Sequence, residues 1–389
     1  MEGIKDKVAI VGMGCTKFGE NWDQDGDDLI VEAAFEALED AGIELKDIQA
    51  AWLGTRYSGI TALRLSAPLK LQYIPVTRVE NLCASGTEAL RAAAYAVAAG
   101  ACDIALALGF EKLKDTGIMG LPSTPFKVSP IQEYMFPPAN FGMMAIRYFD
   151  HYGIDPLEGK RLLAQIAVKN HHNGNLAPKA QFHQEITIEQ AMNAPMISWP
   201  LGVFDCCGVA DGAAAAIVTR ADMARNFRND PIYIKALAVS AGPRDGLIST
   251  KYDFTHVEEN FRGAQVAYAQ AGLKDPLHEL SIAEVHDCFT ITELSIYEDL
   301  MWCPRGKAKD YIENGTFALT GQLPVNTDGG LKCFGHPIGA SGLRMMYEVY
   351  KQLQGKAGPR QVKNPKLGLT HNLGGVPGGA VCGIAIVGN

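Results

Sequence analysis

Glu80-Asn81-Leu82-Cys83-Ala84-Ser85-Gly86-Thr87-Glu88-Ala89 follows an apolar run from Ile74 to Val79 and leads into a segment in which alanine recurs at 89, 92, 93, 94, 96, 98 and 99. The pattern predicts a strand, a turn and a slim helix made for the interior, with a lone cysteine at the helix mouth. The first turn of a helix leaves N–H groups unpaired and carries partial positive charge. A thiol held there is expected to ionise more easily, and an oxyanion beside it finds donors. Cys83 therefore reads as a nucleophile.

Upstream, Val8-Ala9-Ile10-Val11-Gly12 has the continuous apolar character of a strand buried on both faces. Asp27 and Asp28 supply capping acids to a helix with Ile30, Ala33, Ala34, Ala37, Leu38 and Ala41 at helical spacing, closed by Gly42. Further strands are expected over 50–53 and 103–109. Between Phe110 and Phe204, prolines, paired aromatics and histidines surround amphipathic segments over 140–152 and 161–172 with no strand between them. This predicts a helical layer inserted over the sheet. Strand texture returns over 211–218.

The second half repeats the plan of the first. A strand over 232–239 and a helix over 257–271 ended by Gly272 precede a strand over 281–285. Gly335-His336-Pro337-Ile338-Gly339-Ala340-Ser341-Gly342 then opens the counterpart of the cysteine helix, and strands over 366–370 and 380–387 complete the sheet. Gly272-Leu273-Lys274-Asp275 echoes Gly42-Ile43-Glu44-Leu45-Lys46-Asp47. The fold class is α/β, in two βαβ-type halves: residues 1–222, with the insertion at about 111–204, and residues 223–389. Their pseudo-symmetry brings the two helix starts together and puts Cys83 and His336 in one cleft.

With 389 residues, 47% of them hydrophobic, the chain is long enough for two packed lobes. A net charge of −8 argues against a general nucleic-acid surface. Nine cysteines, an odd number with no C-x-x-C pair and only a polar Met1–Lys7 ahead of the first strand, read as reduced thiols in a cytoplasm. No apolar run approaches the ~20 residues that cross a bilayer, so no membrane partner is expected.

Histidine is the side chain best suited to take a proton from a thiol near neutral pH, and His336 sits in a glycine-lined loop that lets a ligand come close. His286-Asp287-Cys288-Phe289 follows a buried strand, at the end where open α/β sheets place their chemistry. His286 is positioned to donate to a developing oxyanion, and Cys288 offers a second thiol for proton transfer. His371-Asn372-Leu373-Gly374-Gly375-Val376-Pro377-Gly378-Gly379 exposes N–H groups that could complete an oxyanion hole, cradle phosphate or form a hairpin. His171-His172-Asn173-Gly174 lacks carboxylate or cysteine partners at metal spacing, so it reads as polar lining or a cap, and no metal site is expected.

Together, the Asn81–Gly86 stretch, His286-Asp287-Cys288-Phe289, GHPIGASG over 335–342 and the closing Asn372-Leu373-Gly374-Gly375 resemble the thiolase family almost end to end. The resemblance implies a five-layer α-β-α-β-α fold with an inserted loop domain, and acyl transfer between coenzyme A thioesters. It implies homodimers or dimers of dimers, coenzyme A as substrate and no permanently bound cofactor. Cys83 matches the acylated nucleophile and His336 the histidine that activates it. His286 falls where the best-known thiolases carry the asparagine of an N-E-A-F motif, and Asn372 stands where their second catalytic cysteine is expected.

These departures resemble the sterol-carrier-protein type and its archaeal and bacterial relatives, in which the cysteine of H-D-C-F is the acid/base. Cys288 takes that role, with Cys382 as the fallback. The resemblance assigns the oxyanion holes to Cys83, His286, His336 and Gly374, and substrate contacts to Asn372, Gly375, Ser341 and His172. It also implies a possible small OB-fold and zinc-ribbon partner, and substrates that extend to branched or aromatic ones such as benzoylsuccinyl-CoA. A decarboxylating ketoacyl synthase and a non-catalytic subunit of an acyl-transfer complex are the rival readings.

Overall fold

The computed structural model describes residues 3–116, 125–128, 131–134, 137–248 and 252–389. Nine strands form the principal sheet: β1 (Val8–Cys15), β2 (Ala50–Gly54), β3 (Val76–Val79), β4 (Ile104–Glu111), β5 (Gly212–Arg220), β6 (Ile232–Ala241), β7 (Ile282–Val285), β8 (Leu367–Val376) and β9 (Gly379–Gly388). Their order is β7-β8-β9-β6-β1-β5-β4-β2-β3. The run β2-β4-β5-β1 is thus repeated as β7-β8-β9-β6, with β3 added at one edge. The halves meet where β1 pairs with β6, through only Ala9↔Tyr233 and Ile10↔Ile232.

Seven helices matter for the site: α1 (Gly26–Ala41), α2 (Ser85–Ala98), α3 (Pro137–Tyr152), α4 (Pro156–Asn175), α5 (Glu258–Ala271), α6 (Thr290–Asp299) and α7 (Ser341–Leu353). Helix α1 packs Leu29, Ile30, Ala33 and Ala34 against Leu53, Leu106 and Leu108 on one outer face. Helix α5 packs Ala264, Ala267 and Tyr268 with Ile384 and Ile386 on the other. Between the halves, α2 and α7 share one apolar cluster with both sets of strands, through Ala89, Ala93, Leu343, Met346, Ala214 and Ala385. That layering follows from the sequence, since a slim helix lets another backbone approach. A Cβ on Gly86 would lie 2.7 Å from the carbonyl oxygen of Gly339, and one on Gly342 2.4 Å from Thr87 Oγ1. The two helix starts touch because both are bare at the contact.

The α1 N-cap is Asp25, whose side chain accepts from the N–H groups of Asp27 and Asp28, and Asp28, one of the two expected capping acids, completes the box by accepting from the Asp25 N–H. Gly42 and Gly272 close α1 and α5 at φ 69° and 83°. The inserted layer holds α3 and α4 and also two short ribbons, Pro125–Val128 with Ile131–Tyr134 and Met196–Ser198 with Leu201–Gly202. As expected, no strand intervenes between the two helices; the ribbons lie before α3 and after α4. The glycine-rich segment 371–379 is mostly strand: β8 runs to Val376 and turns straight into β9. The segment is built as a hairpin, and the same hairpin brings the Gly375 N–H to the Cys83 sulfur.

Candidate active site

Cys83 lies two residues ahead of α2, on a turn closed by side chains. Ser85 Oγ accepts from the N–H of Asn81 (2.9 Å) and donates to the carbonyl of Leu82 (2.6 Å), while Glu80 accepts from the N–H of Leu82 (2.7 Å). Leu82 is held at φ 53°, a left-handed conformation that costs a non-glycine residue about 1–3 kcal/mol. The turn presents the thiol to two imidazoles: reactive atoms of Cys83, His286 and His336 lie within 4.8 Å of one another. The pseudo-twofold juxtaposition of Cys83 and His336 is what the repeated topology demands.

His336 is oriented by Ser341. The Ser341 hydroxyl lies 3.0 Å from the Pro337 carbonyl, which can only accept, so Ser341 Oγ receives the Nδ1–H of His336 at 2.7 Å. The lone pair is thereby left on Nε2. That atom and Nδ1 of His286 are buried with no hydrogen-bond partner among the described residues. The two rings meet edge to face at 5.3 Å. Burial holds both imidazoles neutral, pushing His336 down to about 3 and His286 well below the usual histidine range.

The same desolvation pushes the Cys83 thiol up to about 12, against the opposing pull of the Arg56 guanidinium and a hydrogen bond from the Gly375 N–H. The expectation of an easily ionised thiol is reversed here. A helix terminus is worth ~0.3–1 kcal/mol, whereas burial shifts a pKa by up to several units, and burial wins. The resting pair is therefore a neutral thiol beside a neutral imidazole. Because the raised pKa keeps the thiol protonated below it, alkylation of Cys83 by iodoacetamide should climb about tenfold per pH unit from pH 6 to 9. A plateau near pH 7 would show a ready-made thiolate and overturn this assignment.

A chamber of about 80 Å³ surrounds these atoms, walled also by Arg56, Tyr57, Cys207, Cys288, Ile338 and Gly375. It adjoins a larger cavity of about 400 Å³ with which it shares Pro137, Cys207 and Phe289. Cys288 contacts Thr292 Oγ1 at 3.6 Å, and burial raises its thiol well above the ordinary cysteine range. The structure therefore brings Cys83, His286, Cys288, His336 and Gly375 to one wall.

Other expected site residues fall elsewhere. Gly374 packs its bare α-carbon on the backbone of the nucleophile turn, where a Cβ would lie 2.5 Å from the Asn81 carbonyl, and the N–H that reaches the sulfur belongs to Gly375 at φ 109°. Asn372 is fully buried, its Oδ1 accepting from Thr87 Oγ1 of α2 at 2.7 Å, and it does not line the chamber. Ser341 is likewise buried and acts on His336. His172 faces outward to Glu185 at 3.0 Å, whereas His171 lines the larger cavity. Successive helical residues point ~100° apart, so only one of the pair can face inward.

Several contributors were not singled out from the sequence. Glu111 at the end of β4 accepts from the N–H groups of Arg56 (2.5 Å), Tyr57 and Ser58, and so fixes the loop that brings Arg56 and Tyr57 to the chamber. Asp287 accepts from the N–H groups of Leu331 (2.6 Å) and Lys332 (3.2 Å) and from Asn170 Nδ2 (2.8 Å), tying the HDCF segment to the approach of the His336 loop. Its place inside HDCF was the available signal. Cys207 had none beyond the GVADG strand start that follows it. All nine cysteines are free thiols, and no described helix is long and apolar enough to cross a membrane.

Family models described as "Thiolase, N-terminal domain" and "Thiolase C-terminal domain-like" match residues 8–197 and 242–386. The chain is 38% identical over 384 residues to an acetyl-CoA acetyltransferase of Methanothermobacter thermautotrophicus, covering 96% of this chain and 97% of that one. It is 31% identical over 378 residues to the benzoylsuccinyl-CoA thiolase subunit BbsB of Thauera aromatica, covering 96% of each. A solved structure of an Ltp2-ChsH2(DUF35) aldolase superposes with a TM-score of 0.84 at 26% identity, over 99% of this chain and 98% of that chain.

Proposed function

The chain belongs to the thiolase family of acyltransferases, and from that premise we propose that it cleaves a 3-oxoacyl-CoA with coenzyme A, or runs the reverse Claisen condensation, through an acyl group on Cys83. The observation that carries this reading is the meeting of Cys83, His286 and His336 within 4.8 Å, in a chamber that also holds Cys288.

His336 Nε2 takes the Cys83 proton as sulfur attacks the 3-keto carbon. The C2–C3 bond then breaks, its electron pair remaining on the departing thioester as an enolate. His286 donates to the enolate oxygen, and Cys288 gives its proton to C2. The proton of an incoming coenzyme A thiol returns to Cys288 as that sulfur attacks the acyl group. Cys83 leaves as thiolate and recovers its proton from His336. The N–H groups of Cys83 and Gly375 receive the acyl oxyanion. Coenzyme A is a substrate in this scheme, and no resident cofactor is invoked.

The larger cavity, with Phe182, Phe204 and Phe289 on its wall, suits a branched or aromatic acyl group of the benzoylsuccinyl kind. We take residues 1–222 and 223–389 as the two halves. We take the assembly as a homodimer or dimer of dimers, open to a small OB-fold and zinc-ribbon partner. A screen of short, branched and aromatic 3-oxoacyl-CoAs should give coenzyme A-dependent release of two thioesters. Condensation from a malonyl thioester as sole donor would identify a ketoacyl synthase instead. Cleavage independent of coenzyme A, with no adduct on Cys83, would point to an aldolase.

A further inference from the structure

The wall of the larger cavity is mostly apolar, and its polar side chains among the described residues are His171, Gln184 and one cation. Lys332, 2% exposed, contributes to that wall, and its ammonium has no hydrogen bond or ion pair among the described residues; its charged end lies over the Phe204 ring at 5.9 Å, with the Asp205 and Asp287 carboxylates attracting it from beyond ion-pair reach. Nearby carboxylates are engaged by other donors. Asp205 accepts from the N–H of Gly202 (2.9 Å) and from Thr290 Oγ1 (2.7 Å), and Asp287 from Leu331, Lys332 and Asn170 as described. His171, on the same wall, is bonded to the Gln184 carbonyl at 3.0 Å. Burying an amine this way is unfavourable unless something entering the cavity pairs with it. Desolvation accordingly draws its pKa below the ordinary lysine value.

The placement has a second consequence. Lys332 lies in the short helix Gly330–Phe334, whose start is pinned by Asp287, and it precedes His336 by four residues. The cation and the catalytic imidazole therefore lie four residues apart, on either side of the helix end at Gly335. A group held by Lys332 is set at a fixed distance from the reacting carbon, which is the geometry of a ruler.

We propose that Lys332 receives a carboxylate carried on the acyl portion of the substrate, so that the preferred substrates are 3-oxoacyl thioesters with an apolar body and an anionic group. This rests on the thiolase reading of the adjoining chamber. The neutral arm common to every coenzyme A thioester gives no comparable reason to bury a cation.

The test separates the two readings by measuring binding apart from turnover. In a Cys83→Ala background, which cannot be acylated on that residue, calorimetry compares succinyl-, glutaryl- and adipyl-CoA with butyryl-, valeryl- and hexanoyl-CoA. At one chain length or more, the carboxylated member should bind about tenfold tighter or better, as expected for a charge-assisted hydrogen bond in a desolvated site. Adding Lys332→Met should bring the pair to parity, and Lys332→Arg should retain the preference. Equal binding at every length without any change at Lys332 would overturn the proposal, whether or not the methionine variant folds. So would a Lys332→Met effect that weakens both members alike, since that would assign Lys332 to the shared thioester arm. Failure of the chain with Cys83 intact to cleave any 3-oxoacyl-CoA would instead count against the thiolase reading, and the binding preference would still be read.

Discussion

Replacing Cys83 by alanine is expected to lower thiolysis by ~10⁴-fold or more while the protein folds normally. The large effect follows from the chemistry, because neither imidazole nor the Gly375 N–H has anything to act on once the sulfur is gone. The small structural effect follows from the site. The substitution removes one atom from the wall of an existing chamber, and the turn that carries it is closed by Ser85 and Glu80, not by the thiol. Unfolding free energy should change by no more than ~1 kcal/mol. Mass spectrometry after brief exposure of the intact protein to an acyl-CoA should place the acyl group on the Cys83 peptide. Label confined to Cys207, Cys288 or Cys382 would move the nucleophile and overturn the mechanism.

The second large effect is expected at Cys288. General acid–base catalysis typically contributes ~10²–10⁴-fold, and the alanine variant should lose that much in condensation and in solvent deuterium exchange at the α-carbon of the donor thioester. It should still acquire label on Cys83, more slowly than the wild type, because a departing coenzyme A thiolate, unlike the carbon C2, can leave without the Cys288 proton and take one from solvent. The rival proton carrier, Cys382, is fully buried in β9 opposite Leu373, with Gly263 of α5 above it at 3.1 Å from a Cβ built there. That sulfur faces the outer helix and does not line the chamber. Normal exchange in Cys288→Ala, with loss in Cys382→Ala, would route the proton through the last strand.

The framework on which these groups sit is legible in the local sequence. Continuous apolar runs such as Val8–Val11 and the left-handed glycines Gly42 and Gly272 are local signals, and local sterics and backbone hydrogen bonding settle them before any long-range contact forms. The repeat of one half in the other carried the topology, and with it the meeting of Cys83 and His336. His286 and Cys288 came with the short strand that ends at Val285. Tertiary structure decided everything that depends on distance from water or on register between strands. Burial raised the Cys83 thiol that its helix mouth alone would have favoured ionising. The β8–β9 hairpin set Gly375 rather than Gly374 at the sulfur, and the rotation of α4 chose His171 over His172 for the cavity. Nothing in the local sequence marks Lys332 as distinct from the chain's other basic residues. Only packing could turn it into a desolvated cation facing an apolar cavity, because desolvation is a property of the whole surrounding shell and no short stretch of chain encodes that shell.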